Sequence, residues 1–302
     1  MPAIEIDGLT KRYGGVAAVD GMSLRVEEGE VFALLGPNGA GKTTTVEILE
    51  GHRRRDGGRV SVLGEDPQQA GRGFRERIGI VLQSSGLDGV LTVAETIDLY
   101  RGLYPRPRPL GVVLDVVGLT EKRDARVGTL SGGQRRRLDL ALGIVGDPDL
   151  IFLDEPTTGF DPSARRRSWE LVDGLRRLGT TILLTTHAMD EAQHLADRVA
   201  VMVAGRIVAE GTPETIGGRA DGAARIGFRL PEGVDAAELP APFTGAVPEA
   251  GRIEMAVDHP TAALHALTGW AAERGIDLPA LEVARPTLED VYLSLTGEPD
   301  GG

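Results

Sequence analysis

The chain has 302 residues, 45 acidic against 33 basic, for a net charge of −12. That length allows one large or two modest domains with ample core, and the acidic balance argues against a general affinity for nucleic acid. With no cysteine, neither a disulfide framework nor a Cys-ligated metal is possible, and no window holds the roughly 20 uninterrupted apolar residues a bilayer span needs.

The opening Met-Pro-Ala-Ile-Glu-Ile-Asp lacks the charged and apolar regions of a signal peptide. Residues 31–35, Val-Phe-Ala-Leu-Leu, read as a buried strand. Gly36-Pro37-Asn38-Gly39-Ala40-Gly41-Lys42-Thr43 follows and fits the phosphate-binding spacing G-x-x-x-x-G-K-[ST]. Its glycines, Gly36, Gly39 and Gly41, let backbone N–H groups wrap a triphosphate, and the helix expected over 43–49 places its positive end beneath the phosphates. Lys42 is then expected to reach the β- and γ-phosphates and the Thr43 hydroxyl to hold Mg²⁺, with Asn38 and Thr44 lining the same loop. The ligand read from this string is a nucleoside triphosphate.

Further along, residues 78–82 read as a strand that ends at Gln83, and Thr92-Val93-Ala94-Glu95 is a capping box before a helix. Pro105 to Pro109 break the chain before a second apolar run over 110–117. Ser131 and Gln134 form another capping box, in Leu130-Ser131-Gly132-Gly133-Gln134. Two glycines in a first helical turn cost about 1 kcal/mol each against Ala, which makes sense where a phosphate must approach that helix end closely. Residues 150–153, Leu-Ile-Phe-Leu, read as a fully apolar strand that delivers Asp154 and Glu155 at its C-terminal end. That is where a parallel α/β sheet places its chemistry. Asp154 is the expected Mg²⁺ partner and Glu155 the group that deprotonates the attacking water. Another apolar strand, 180–186, leads to His187. The arginine runs at 135–137 and 165–167 read as solvated helix faces.

These strings, in this order over residues 1 to about 217, resemble the ATP-binding subunits of ABC transporters. The resemblance implies an ABC ATPase fold: a P-loop α/β core with a helical subdomain over about 84–146. It implies that Tyr13 stacks on adenine, that Gln83 senses Mg²⁺ and the attacking water, and that His187 contacts the γ-phosphate. Ser131, Gly133 and Gln134 match the signature motif, and Asp161 the loop that crosses to a partner subunit. Phe160 stands where family members usually have Leu. One copy of each motif implies a composite site, hence an ATP-dependent homodimer. Hydrolysis of ATP with Mg²⁺ would drive a separately encoded integral-membrane permease, and Leu87, Val90 and Leu91 line the expected groove for it or else the subdomain core.

The last stretch differs in charge. Residues 221–302 carry 14 acidic and 5 basic side chains, and Gly217-Gly218 with Asp221-Gly222 mark a linker, so the expected domains are 1–219 and 220–302. Strands are expected at 225–230, 253–257 and 281–284, with helices at 261–274 and from Thr287 onward, giving a small α/β appendage. The end, Pro-Thr-Leu-Glu-Asp-Val-Tyr-Leu at 286–293, resembles the daunorubicin-resistance group of ABC-2 type exporters. That resemblance implies a peripheral ATPase at the cytoplasmic face of the membrane, powering efflux of drug-like or antibiotic-like cargo. The same machinery exporting a lipid or glycan is the alternative within the class. A soluble ABC ATPase acting as a nucleotide switch is the alternative outside it. No nucleic-acid partner is expected.

Overall fold

The computed structural model describes residues 2–81, 86–87, 89–156, 162–218 and 223–296. It divides into two compact units, Met1–Pro213 and Glu214–Gly302.

In the first unit, β1 (Pro2–Tyr13) and β2 (Val16–Glu27) form a hairpin whose turn is Gly14–Gly15. Both glycines have positive φ, 51° and 92°, the sign that a two-residue turn matching strand twist requires. Strand β3 (Val31–Leu35) follows with all five residues buried, then helix α1 (Lys42–Leu49) and β4 (Gly57–Val62), which pairs with β1. The short helix α2 (Arg72–Arg77) leads into β5 (Ile78–Val81). Among the described residues, the α-helices α3 (Val93–Arg101), α4 (Leu110–Val116) and α5 (Gly132–Ile144) then intervene. Both expected capping boxes are formed, Thr92 with Glu95 and Ser131 with Gln134. The chain closes its core with β6 (Leu150–Asp154), α6 (Pro162–Arg177), β7 (Thr181–Thr186), α7 (Met189–Leu195), β8 (Arg198–Val203) and β9 (Arg206–Gly211).

The main sheet has the order β5-β6-β7-β3-β8-β9, parallel except for the antiparallel edge strand β9. β3 and β7 are buried along their whole length and β6 as far as Leu153, which is why they read as mainly apolar runs rather than alternating ones. Parallel strands also bring their C-terminal ends to one side. The residues following β3, β6 and β7 are therefore neighbours, and these are the phosphate loop, Asp154–Glu155 and His187. The core beneath joins this sheet to the antiparallel sheet β2-β1-β4 through Phe32, Leu34, Phe74 and Phe152, all essentially inaccessible. Each such side chain contributes about 1.5–3 kcal/mol by leaving water.

In the second unit, β10 (Ala224–Arg229), β11 (Arg252–Val257) and, after helix α8 (Pro260–Arg274), β12 (Glu282–Ala284) form an antiparallel sheet of order β11-β10-β12. Its core includes Phe228 and Phe243, an edge-to-face pair with centroids 5.6 Å apart, together with Ile253, Leu267 and Trp270. Helix α9 (Leu288–Thr296) is capped as expected: the Asp290 carboxylate accepts from Thr287 N–H at 2.6 Å, and Thr287 Oγ1 accepts from Asp290 N–H at 3.1 Å. Among the described residues no helix is long and apolar enough to cross a membrane.

Candidate functional site

The loop between β3 and α1 is shaped by what cannot fit there. A Cβ on Gly36 would lie 2.4 Å from the Met202 carbonyl oxygen, and one on Gly41 would lie 2.2 Å from that of Ala18. Gly41 also has φ 108°, outside the range of L side chains. The loop is thus pressed against β2 and β8 while Asn38 and Gly39 at its crest remain exposed. Gly41→Ala is expected to cost about 1–3 kcal/mol of stability, read as a lowered thermal midpoint together with weakened nucleotide binding. An unchanged midpoint would show that the loop tolerates the side chain.

Lys42 opens α1 and is buried. Its Nζ donates to the carbonyl oxygens of Gly36 at 2.5 Å and Pro37 at 3.2 Å, curling back into the loop. Burial pushes its ammonium below the usual lysine range, opposed by the nearby carboxylates of Glu155 and Asp154. Thr43 is exposed and Thr44 half-buried beside it.

Asp154 ends β6 opposite Thr185 of β7, and Thr185 Oγ1 donates to its carboxylate. The next residue, Glu155, takes φ 45°, an uncommon conformation for a residue with a side chain. Its N–H donates to the Thr185 carbonyl at 3.0 Å, and its carboxylate Oε1 lies 3.3 Å from His187 Nδ1. The carboxylate is only 16% exposed whereas the imidazole is 51% exposed. A carboxylate so placed can accept a proton from a water, and the imidazole can donate to an adjacent anion.

The oxygen donors here suit a small hard cation. Thr43 supplies a hydroxyl and Asp154 a carboxylate, the donor types that magnesium takes alongside phosphate and water. Mg²⁺ would be held by these two residues and would neutralise charge on the terminal phosphates. A second carboxyl, Glu50, is buried nearby and was not signalled by any motif. Burial pushes it up to about 8, with Asp154 and Glu47 adding to the effect, so at neutral pH it brings little negative charge toward Asp154.

Other expected residues lie elsewhere. Ser131 and Gly133 are exposed at the start of α5. With Gln134 they line a cavity of about 250 Å³ with Arg136, Pro156 and Val172. Among the described residues, none of Lys42, Thr43, Glu155 or His187 lines it. The reading of the arginine runs as solvated needs correction. Arg136 is drawn into α5's packed side, and burial lowers its pKa against the pull of Asp139, Asp154 and Glu191. Arg137 donates to the Gly118 carbonyl at 2.8 Å, and Arg165 pairs with Asp190 at 2.5 Å. Among the described side chains, Arg135 and Arg166 are exposed, whereas Arg136, Arg137 and Arg165 are drawn against neighbouring parts of the fold. Tyr13, at the end of β1, is 41% exposed. Gln83, Phe160 and Asp161 lie outside the described residues.

Comparison with known proteins gives a consistent outcome. A family model described as ABC transporter matches residues 19–158, and one described as the C-terminal domain of ABC transporter domain-containing proteins matches 224–287. The daunorubicin resistance ATP-binding protein DrrA3 of Streptomyces coeruleorubidus is 40% identical over 308 residues, covering 98% of this chain and 96% of that protein. The Nod factor export ATP-binding protein I of Burkholderia pseudomallei (strain 1710b) is 42% identical over 300 residues, covering 97% of each. Among solved structures, the ADP conformation of MJ1267, an ATP-binding cassette of an ABC transporter, matches with TM-score 0.64 and 27% identity, covering 71% of this chain and 92% of that one. The cbiO1 protein of Clostridium perfringens, part of the ABC transporter complex cbiONQ, matches with TM-score 0.64 and 29% identity over 70% of this chain and 89% of its own.

Proposed function

The chain belongs to the ABC transporter family as one of its ATP-binding, ATP-hydrolysing subunits, and from that premise we propose that it powers export through a separately encoded integral-membrane permease. The observation that carries the reading is the convergence of Lys42, Asp154, Glu155 and His187 at the C-terminal ends of β3, β6 and β7, in a chain similar along nearly its whole length to export ATPases. Drug-like or antibiotic-like compounds are the proposed cargo, in keeping with the daunorubicin resistance relatives. The Nod factor export relatives support a second cargo reading at comparable identity. The subunit would then sit at the cytoplasmic face of the membrane, held there by the permease.

In the proposed mechanism the phosphate loop and α1 bind the triphosphate through Gly36, Asn38, Gly39, Gly41, Lys42, Thr43 and Thr44. Lys42 releases the loop carbonyls to reach the terminal phosphates. Glu155 takes the proton of the attacking water, and His187 orients toward the γ-phosphate while its contact with Glu155 keeps the two groups in register. Gln83 and Asp154, with Thr43, are the residues that would hold Mg²⁺, which when bound would supply charge neutralisation at the terminal phosphates. Ser131, Gly133 and Gln134 act on a second copy's nucleotide, and Asp161 is the residue proposed to serve that junction. The homodimer thus closes when ATP spans the interface and opens when hydrolysis removes the bridging charge. The exposed signature residues, lining a cavity apart from Lys42 and Glu155, support this division of labour.

Recovery of the chain from gently solubilised native membranes tests the proposal. Co-purification of a stoichiometric multi-span membrane protein that stimulates ATP turnover is the expected outcome. Recovery of soluble partners alone would leave the ATPase and discard the transport. Stimulation of the recovered complex by daunorubicin-type compounds would select the first cargo reading.

A further inference from the structure

Tyr13 ends β1 at the Gly14–Gly15 turn with its ring partly open to solvent. Two cations from separate parts of the chain close on that ring: Lys11 Nζ and the Arg53 guanidinium, each 5.4 Å from the ring centroid. Neither is loose. Asp56 accepts from Lys11 Nζ at 2.9 Å with one oxygen and from Arg12 N–H at 2.7 Å with the other. Arg53 is tied twice to one residue, since its backbone N–H donates to the Glu47 carbonyl at 3.0 Å and its Nε donates to the Glu47 carboxylate at 2.5 Å. Glu47 belongs to α1, the helix that begins at Lys42.

We propose that Arg53, anchored by Glu47, is a positioning residue that presents the Tyr13 ring to the adenine base and so registers the base platform with the phosphate loop through one helix. The inference rests on the reading of Tyr13 as the base-stacking residue. A cation over an aromatic face is held by the ring quadrupole and in turn limits the ring's orientations. An exposed tyrosine at a hairpin end otherwise pays its ordering entropy when the base arrives, and fixing it beforehand removes part of that cost. Of the two cations, arginine is the better anchor, because its planar guanidinium stacks on a ring and holds a carboxylate at the same time, whereas the lysine ammonium is a compact, strongly hydrated charge. Arg53 alone also leads back to α1, so a shift of that helix on loading its phosphates is carried to the ring.

The test compares two probes on the full chain by calorimetry: MgATP, which has a base, and inorganic tripolyphosphate, which has none. Arg53→Ala is expected to raise the dissociation constant for MgATP roughly fivefold, as befits a partly exposed cation–ring contact, and to leave tripolyphosphate binding as in the wild type. In steady-state turnover KM should rise more than kcat falls, and Arg53→Lys should recover part of the MgATP affinity. Equal weakening toward both probes would overturn the inference, since Arg53 would then be supporting the phosphate loop. Unchanged MgATP affinity in Arg53→Ala, with loss in Tyr13→Ala, would overturn it and leave base stacking standing. Unchanged affinity in Tyr13→Ala would remove the base-stacking reading and this inference with it.

Discussion

Glu155→Gln is expected to bind MgATP at least as tightly as the wild type while turnover falls by roughly two to four orders of magnitude, the range a positioned general base supplies. The substitution keeps the shape of the side chain and the two backbone ties to Thr185, N–H to carbonyl at 3.0 Å and N–H to hydroxyl at 3.3 Å, which hold the residue at φ 45°. What it removes is the capacity to accept a proton, together with one negative charge from a mostly buried position facing a triphosphate. The first loss stops water activation, and the second lowers repulsion in the bound state. Phosphate release at saturating MgATP and equilibrium nucleotide binding measure the two separately. Sedimentation in MgATP should show a dimer that persists, because the charge that closes the interface is no longer hydrolysed away. Turnover at the wild-type rate would show that another group takes the proton.

Lys42→Ala should produce the opposite pattern, with affinity lost before chemistry is reached. Its Nζ is the buried cation of the loop and is drawn toward Glu155 and Asp154, so without it a triphosphate meets two carboxylates with no adjacent counter-charge. A charge-assisted contact of this kind is worth about 1.5–3 kcal/mol, so the dissociation constant for ATP should rise on the order of 10- to 100-fold. Fold stability should respond less. The variant leaves the Gly36 and Pro37 carbonyls without their lysine donor, but it also removes the cost of burying an ammonium. A thermal melt alongside the binding measurement separates the two effects. Unchanged ATP affinity in a folded protein would remove the phosphate loop from the proposed site.

Some of the molecule was hidden from a reading of the chain for identifiable reasons. Strands β1 and β2 pair with register shifts at several points, including between Ile6 and Leu9 and between Lys11 and Arg12. Bulges of this kind interrupt the two-residue alternation, which survives in stretches such as Met22–Glu27 but does not run the length of either strand. The buried central strands were legible because burial on both faces leaves an apolar run that needs no period. Arg136 illustrates the converse error. Three adjacent arginines look like a solvated face, yet a helix turns 100° per residue, so its neighbours Arg135 and Arg137 point in different directions and Arg136 meets the packed side.

The sequence by itself determined the nucleotide chemistry, because the phosphate loop, the strand ending in Asp154–Glu155 and the helix opening at Ser131 are local devices. Each works through backbone geometry and side chains within a few residues of one another, so spacing along the chain is also spacing in space. Only the tertiary structure decided what holds those devices in register. Thr185 reaches Asp154 because β6 and β7 pair residue against residue, 31 positions apart in the chain. Arg53 reaches Tyr13 because the segment after α1 runs back beside β1, and the Glu50 carboxyl is pushed up because folding takes it out of water. Those contacts depend on strand register and desolvation, which arise from the packing of distant segments and leave no pattern in the order of residues.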